Sequence, residues 1–327
     1  LFKSLEFNGF CIEEKFIKNI VAVLVYSVFY WKRLYSLLDI RLTIEGEERQ
    51  FSPFFKKLAA YSYDGVGPMI GIQRSESYFP NKTLGPEIAR DVYYTWSRTF
   101  EVLHTSECFP KKVIVSIPAH LKKSVNSQMD ITIDHEPGKK LVVGFDNIYG
   151  NLGNPITESA YEKFISFFVD LLFLHEDINA LIKLKSPRNA LHPVFSLNKK
   201  LIQLIDDHRL TLWTEPRTDI LKFESIGCLF IGMGVSSAVS QLGLRGYNAV
   251  NFDVMGSRLF HPLYKEPYHD VIFDSSCELL SKCGDFLSGK LTRLGYWPEP
   301  VGGFVSQPDS FKSVIRNLLV DGNEFRD

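Results

Sequence analysis

Two serines behind a glycine turn are the residues of this chain best suited to hold an anion. Gly232-Met-Gly-Val-Ser-Ser237 follows an apolar run and opens a helical pattern. Unpaired N–H groups at a helix start favour negative charge, and the hydroxyls of Ser236 and Ser237 add donors without bulk. Simple helix capping by either serine would explain the same residues. The setting favours phosphate: a strand, a turn through Gly234, then a helix, at the strand end where ligands of α/β sheets gather. The pattern is neither a dinucleotide GxGxxG nor a P-loop ending in GK[ST].

A basic stretch follows a different strand. Lys183-Leu-Lys-Ser-Pro-Arg188 leads to His192-Pro193. Lys185, Arg188 and His192 could neutralise a diphosphate or a nucleoside monophosphate; a solvated basic loop is the plainer reading. Asp64-Gly65 precedes the strand pattern at 68–72. Asp64 is either a turn residue or a general base. Gln73 and Arg74, at the end of that strand, form a cleft wall or a loop. Asp253 ends a strand at 248–253 on the same ligand edge, and Arg258 and His261 follow it.

These groups need elements to place them. Residues 140–145 read as a buried strand, and 157–174 as a helix with Ser159 and Glu162 as its capping box. Tyr161, Phe164, Ile165, Phe168, Leu171 and Leu172 recur there at helical spacing. Strands are expected at 179–184, 210–213, 227–231, 248–253 and 271–273, and helices at 198–205, 216–224, 236–244 and 275–287. Gly246 would end the helix that begins at the serines. Strands alternating with helices imply right-handed crossovers and a parallel sheet. The first half is less regular, with helical pattern to about residue 40 and strands expected at 68–72, 91–96 and 113–117. A polar stretch at 119–139 reads as a connector. Two domains follow, 1–135 and 136–327, the first irregular or incomplete.

The bulk properties exclude several classes. A formal charge of −1 argues against a nucleic-acid coat. Five scattered cysteines without CxxC spacing read as reduced thiols of a cytoplasmic protein, and no His cluster completes a metal site. The most apolar run, 19–31, lies between Lys18 and Lys32. Read as ending there it is too short for a bilayer and suits a buried strand or helix, with interfacial membrane contact the lesser reading.

In order, the segments "IGIQ", "DVYYTW", "VIVSIP", "LVVGFDN", "LIKLKSPRN" and "GVSSAVSQLGLRGYNAVNFD" resemble the GT-B glycosyltransferases and related enzymes of bacterial capsule and lipopolysaccharide synthesis. The resemblance covers roughly residues 64–290. It implies an α/β fold of two Rossmann-like domains with parallel sheets. It also implies a nucleotide-sugar donor as substrate, no cofactor, no metal, and a glycan or lipid-linked acceptor at the inner face of the membrane. A Ser-Ser segment of that family binds donor phosphate, which Ser236 and Ser237 match. Its Lys-x-His-Pro segment is altered here, with Ser186 in the His place and His192-Pro193 coming five residues after Pro187. Gln241 stands where a ribose-binding Glu is usual, and Asp64-Gly65 resembles the acidic motif of the sialyl- and Kdo-transferase-like branch. The resemblance thus implies a metal-independent glycosyltransferase, with Asp64 as base and Lys185, Arg188 or His192 countering leaving-group charge. A sugar-nucleotide epimerase of the same fold, or a non-catalytic GT-B-like partner in polysaccharide assembly, are the alternatives.

Overall fold

The computed structural model describes residues 12–45, 56, 59–60, 69–72, 91–95, 112–115, 138–147, 156–215, 218–256, 270–295, 297 and 315–316. They fall into two compact units, each with its own parallel sheet.

The first unit holds helix α1 (Ile12–Leu38) and four strands in the order β1-β2-β3-β4: β1 (Thr43–Glu45), β2 (Met69–Ile72), β3 (Val92–Thr95) and β4 (Lys112–Val115). Every pairing is parallel. Asp91 latches the starts of β2 and β3. Its carboxylate accepts from Met69 N–H at 2.7 Å while its own N–H donates to Met69 O at 2.9 Å. Ile70, Val92 and Tyr94 make a small core, joined by Leu42, Ile72, Ile114 and Ile315. Ile315 thus packs with the first unit although it lies late in the sequence.

The apolar run near the N-terminus is a helix, but it is not the buried one the sequence suggests. Among the described residues of α1 only Tyr35 is buried, while Val23, Tyr26, Tyr30 and Leu37 are each more than half exposed. Trp31 packs beside Tyr35, and Lys56 lies over the Trp31 ring at 4.4 Å. Apolar residues surround the helix, so covering one side leaves the others in contact with water. Lys32 and Arg33 fall inside the apolar stretch rather than ending it. Val21–Leu38 is therefore long and apolar enough to cross a membrane, by length and composition.

The second unit holds six parallel strands: β5 (Lys140–Phe145), β6 (Ile178–Lys183), β7 (Leu210–Trp213), β8 (Leu229–Met233), β9 (Ala249–Phe252) and β10 (Ile272–Phe273). Their order is β10-β9-β8-β5-β6-β7. Counted from β5 this is 3-2-1-4-5-6 read from the far edge, the order of dinucleotide-binding sheets. One row of paired residues crosses the whole sheet near its C-terminal edge: Trp213, Lys183, Phe145, Gly232, Asn251 and Ile272.

Helices α2 (Glu158–Leu174), α3 (Val194–Leu197), α4 (Lys199–Asp206), α5 (Ser237–Leu244) and α6 (Ser276–Leu287) connect or follow these strands. The N-cap of helix α2 lies two residues before the expected one at Ser159. Thr157, in extended conformation, accepts from Ala160 N–H at 3.2 Å, which leaves Ser159 inside the first turn. Its Tyr161, Phe164, Phe167 and Phe168 are buried, and Phe167 meets Phe252 of β9 at 5.4 Å between ring centroids. Burying each such ring stabilises by about 1.5–3 kcal/mol, which anchors α2 to the sheet. The described part of the stretch expected as a helix at 216–224 is a 3-10 turn at Ile220–Ser225. Glu224 there is held by buried Arg245, at 2.7 Å, beyond the end of α5.

Candidate functional site

The sheet order reverses between β5 and β8. A crevice forms outside the carboxyl ends of strands at such a point, and ligands of open α/β sheets bind there. Adjacent strands lie about 4.8 Å apart. The register therefore sets Asp146, just past β5, beside the end of β8 and its glycine turn.

The glycine turn fits by close approach and by backbone conformation. A Cβ on Gly232 would lie 2.7 Å from Asn251 Oδ1 and 2.8 Å from the Ser236 Cβ, so only glycine leaves room for the turn to fold back. Gly234 has φ +65°, in the left-handed region, and donates its N–H to Phe252 O at 2.7 Å. Ser236 then takes the N-cap position of α5 without performing its usual task. Its side chain makes no capping hydrogen bond. Its N–H donates instead to Asn251 Oδ1 at 3.0 Å, and its carbonyl accepts from Ser240 Oγ at 3.1 Å. Asn251 is fully buried on β9, so the neighbouring strand fixes the turn from below. The first-turn amides of α5 have no side-chain acceptor among the described residues. Ser236, Ser237 and Gln241 are half-buried, with Ser237 and Gln241 one turn apart on one helix face.

The basic loop leaves β6 on the other side of β5. Ser186 Oγ accepts from Arg188 N–H at 3.3 Å and starts a 3-10 turn, Pro187–Leu191, that the sequence did not suggest. Lys185 and Arg188 are exposed. His192 is buried: its Nδ1 accepts from Val194 N–H at 3.1 Å, and its ring lies 5.0 Å from that of Tyr161. The imidazole thus packs beneath the loop, while the two cationic side chains lie on top. Asp253 is buried too, and its Oδ1 accepts from Met255 N–H at 3.2 Å, closing its own turn. Asp64, Gln73, Arg74, Arg258 and His261 lie outside the described residues.

Sequence reasoning missed Asp146. This carboxylate is 5% exposed and accepts from Tyr161 Oη at 2.9 Å, from Asn189 Nδ2 at 2.6 Å and from Lys185 N–H. Burial pushes its pKa up to about 6; the hydrogen bonds from Asn189, Lys185 and Tyr161, and the Lys183 charge, pull the other way. Lys183 is buried as well and donates to Leu184 O at 3.0 Å; burial lowers its pKa, against the attraction of Asp146. A single Asp after a strand carries no periodic signal. Its one clue was a polar Asp-Asn pair ending an otherwise apolar run.

No protein-family model matches the sequence, and no curated protein matches it. Solved structures do match in fold. A protein from Listeria monocytogenes described as a UDP-N-acetylglucosamine 2-epimerase shares 16% identity at a TM-score of 0.58, over 91% of this chain and 80% of the other. The UDP-GlcNAc 2-epimerase of Methanocaldococcus jannaschii, solved with UDP-GlcNAc and UDP, shares 8% at 0.56, over 90% and 80%. A glycosyltransferase from Rickettsia africae shares 11% at 0.50, over 93% and 80%. The chain has the GT-B-like fold common to these proteins, with two units built on parallel sheets.

Proposed function

We propose that this chain is a glycosyltransferase that draws on a nucleotide-activated sugar and seats the donor diphosphate on the Gly234–Ser237 turn. One observation carries the reading. The N-terminus of α5 opens at the sheet's switch point, and its cap serine leaves its hydroxyl and the first-turn amides without the usual side-chain bond. A helix start concentrates about half a positive charge, which suits a diphosphate. Lys185 and Arg188 would add counter-charge as the leaving nucleotide departs, and Gln241 would reach the ribose.

In this reading an acceptor hydroxyl attacks the anomeric carbon as the bond from that carbon to the phosphate oxygen breaks. Asp64 takes the hydroxyl proton. The cationic loop and helix terminus do the charge-balancing that a metal does elsewhere. The exposed apolar surface of α1 supports a lipid-linked acceptor met at the membrane's inner face. A thermal-shift panel of CMP, CDP, UDP and GDP tests the donor seat. A ligand at a hundredfold excess over its Kd stabilises by ~2.7 kcal/mol, and no response to any nucleotide would remove the reading. Asp64→Ala should keep nucleotide binding and lose turnover; a non-catalytic partner would show no turnover to lose.

A sugar-nucleotide epimerase is the second reading, favoured by the fold likeness to the two epimerases above. Incubation with UDP-GlcNAc and no acceptor separates the two. An epimerase yields an isomeric sugar nucleotide, whereas a transferase leaves the donor intact.

A further inference from the structure

Asp146 stands at the strand where the sheet order reverses, yet it is too buried to meet a ligand itself. Its described partners are all donors from other segments: Tyr161 of α2, and Asn189 and the Lys185 N–H of the basic loop. Its neighbour Asn147 continues the hold. Asn147 O accepts from Asn189 Nδ2 at 3.0 Å, and Asn147 Oδ1 accepts from Lys185 Nζ at 3.1 Å. An ionised carboxylate is an acceptor only, which is what three converging donors require. The two residues past β5 thus fix the loop at Lys185 and Asn189, on either side of Arg188.

We propose that Asp146 is the positioning residue of the anion seat, holding Lys185 and the 185–192 loop over the end of β5 without touching the ligand. The inference rests on the donor-site reading. Electrostatics makes it decidable. The charged and titratable groups around Asp146 are Lys183, Lys185 and Tyr161, with His192 behind Tyr161. A buried negative charge beside an anion seat repels the anion. If charge were all that mattered, Asp146→Asn would tighten nucleotide binding. If the carboxylate sets the loop, the same change weakens it, because the amide presents a donor where only acceptors fit.

The test is a double-mutant cycle with UDP, CDP and GDP as probes, measured by calorimetry at pH 7.5. Asp146→Asn and Lys185→Ala should each weaken binding about tenfold, and the double variant should bind clearly less than about a hundredfold worse than the parent, since coupled residues fail to add. Equal or tighter binding by Asp146→Asn, or effects that multiply, would overturn the inference. Hydrogen exchange on the unliganded protein supplies a ligand-free readout. Asp146→Asn should speed exchange at the Lys185 amide while the β5 and β6 amides stay protected. An unchanged Lys185 amide overturns the positioning role. If the parent protein binds none of the nucleotides, the donor-site reading falls by itself, and the exchange result still decides what Asp146 does.

Discussion

Helices α5 and α6 begin almost alike. Each starts just past the carboxyl end of a parallel strand, and each has serine at the N-cap in extended conformation: Ser236 at φ −114°, ψ 124° and Ser275 at φ −100°, ψ 121°. Ser275 accepts from Glu278 N–H at 3.3 Å, as Thr157 and Asn198 do for the third amides of α2 and α4. Ser236 caps nothing. The difference is one of place. Helix α6 follows the edge strand β10, where a helix start has only itself to satisfy. Helix α5 follows β8 at the switch point, behind a glycine turn pinned by Asn251 from the next strand. Residue type alone does not decide whether an N-cap serine uses its side chain; the strand and turn that precede it do.

The contrast can be broken most forcefully at Gly232. A valine there would press into Asn251, Ser236 and Val239, which leave no room even for a methyl. Overpacking of this kind costs about 3 kcal/mol. Gly232→Val should lower the melting temperature by several degrees and abolish nucleotide-induced stabilisation; an unshifted melt would show that the turn is looser than described.

Asp146 gives the next largest effect, with a definite sign. Its folded-state pKa is raised to about 6, so between about pH 4 and 6 the folded chain holds a proton that the unfolded chain has released. That contribution to stability is present in full below about pH 4 and is lost as pH rises through 6. Two pKa units set its size at no more than about 3 kcal/mol. Melting curves from pH 4 to 7 should show the wild type losing stability relative to Asp146→Asn as pH rises. A constant difference would contradict the assignment.

Smaller, and aimed at the comparison itself, is the pair of serine truncations. Ser275→Ala removes a working cap and should cost about 1 kcal/mol of stability while leaving nucleotide affinity alone. Ser236→Ala should do the reverse, costing less than about 0.5 kcal/mol in stability, since no capping bond is lost, yet weakening nucleotide binding. Equal melting-temperature losses in the two variants would make Ser236 an ordinary cap.

Much of the second unit was legible in the sequence. Apolar runs bounded by polar residues marked β5 to β10, and the aromatic periodicity of 161–172 marked α2, because both patterns record burial directly. Strand order was not legible: register and neighbours depend on contacts far apart in the chain, so the switch point appears only once β8 is seen beside β5. Strand β1 was missed because Thr43–Glu45 is three residues long and lies at a sheet edge. The apolar character of α1 was visible, but its exposure was not, since composition does not say what covers a helix. At the candidate site, the strand-turn-helix setting of Gly234, Ser236 and Ser237 was legible through a local motif. Asp146 was not, because its partners lie 15 to 43 residues away. The burial of His192 against Tyr161 was not legible either, since no local pattern records a pairing of loop and helix.

The central claim is that the α5 start holds nucleotide phosphate, and the most direct measurement is nucleotide binding by three proteins side by side. Calorimetric titrations with CMP, CDP, UDP and GDP would compare the wild type, the Ser236→Ala/Ser237→Ala variant and Ser275→Ala. The wild type and Ser275→Ala should bind the same nucleotide with the same affinity, and the double variant should bind it at least tenfold more weakly. Undiminished binding by the double variant, or no binding by the wild type, would contradict that claim.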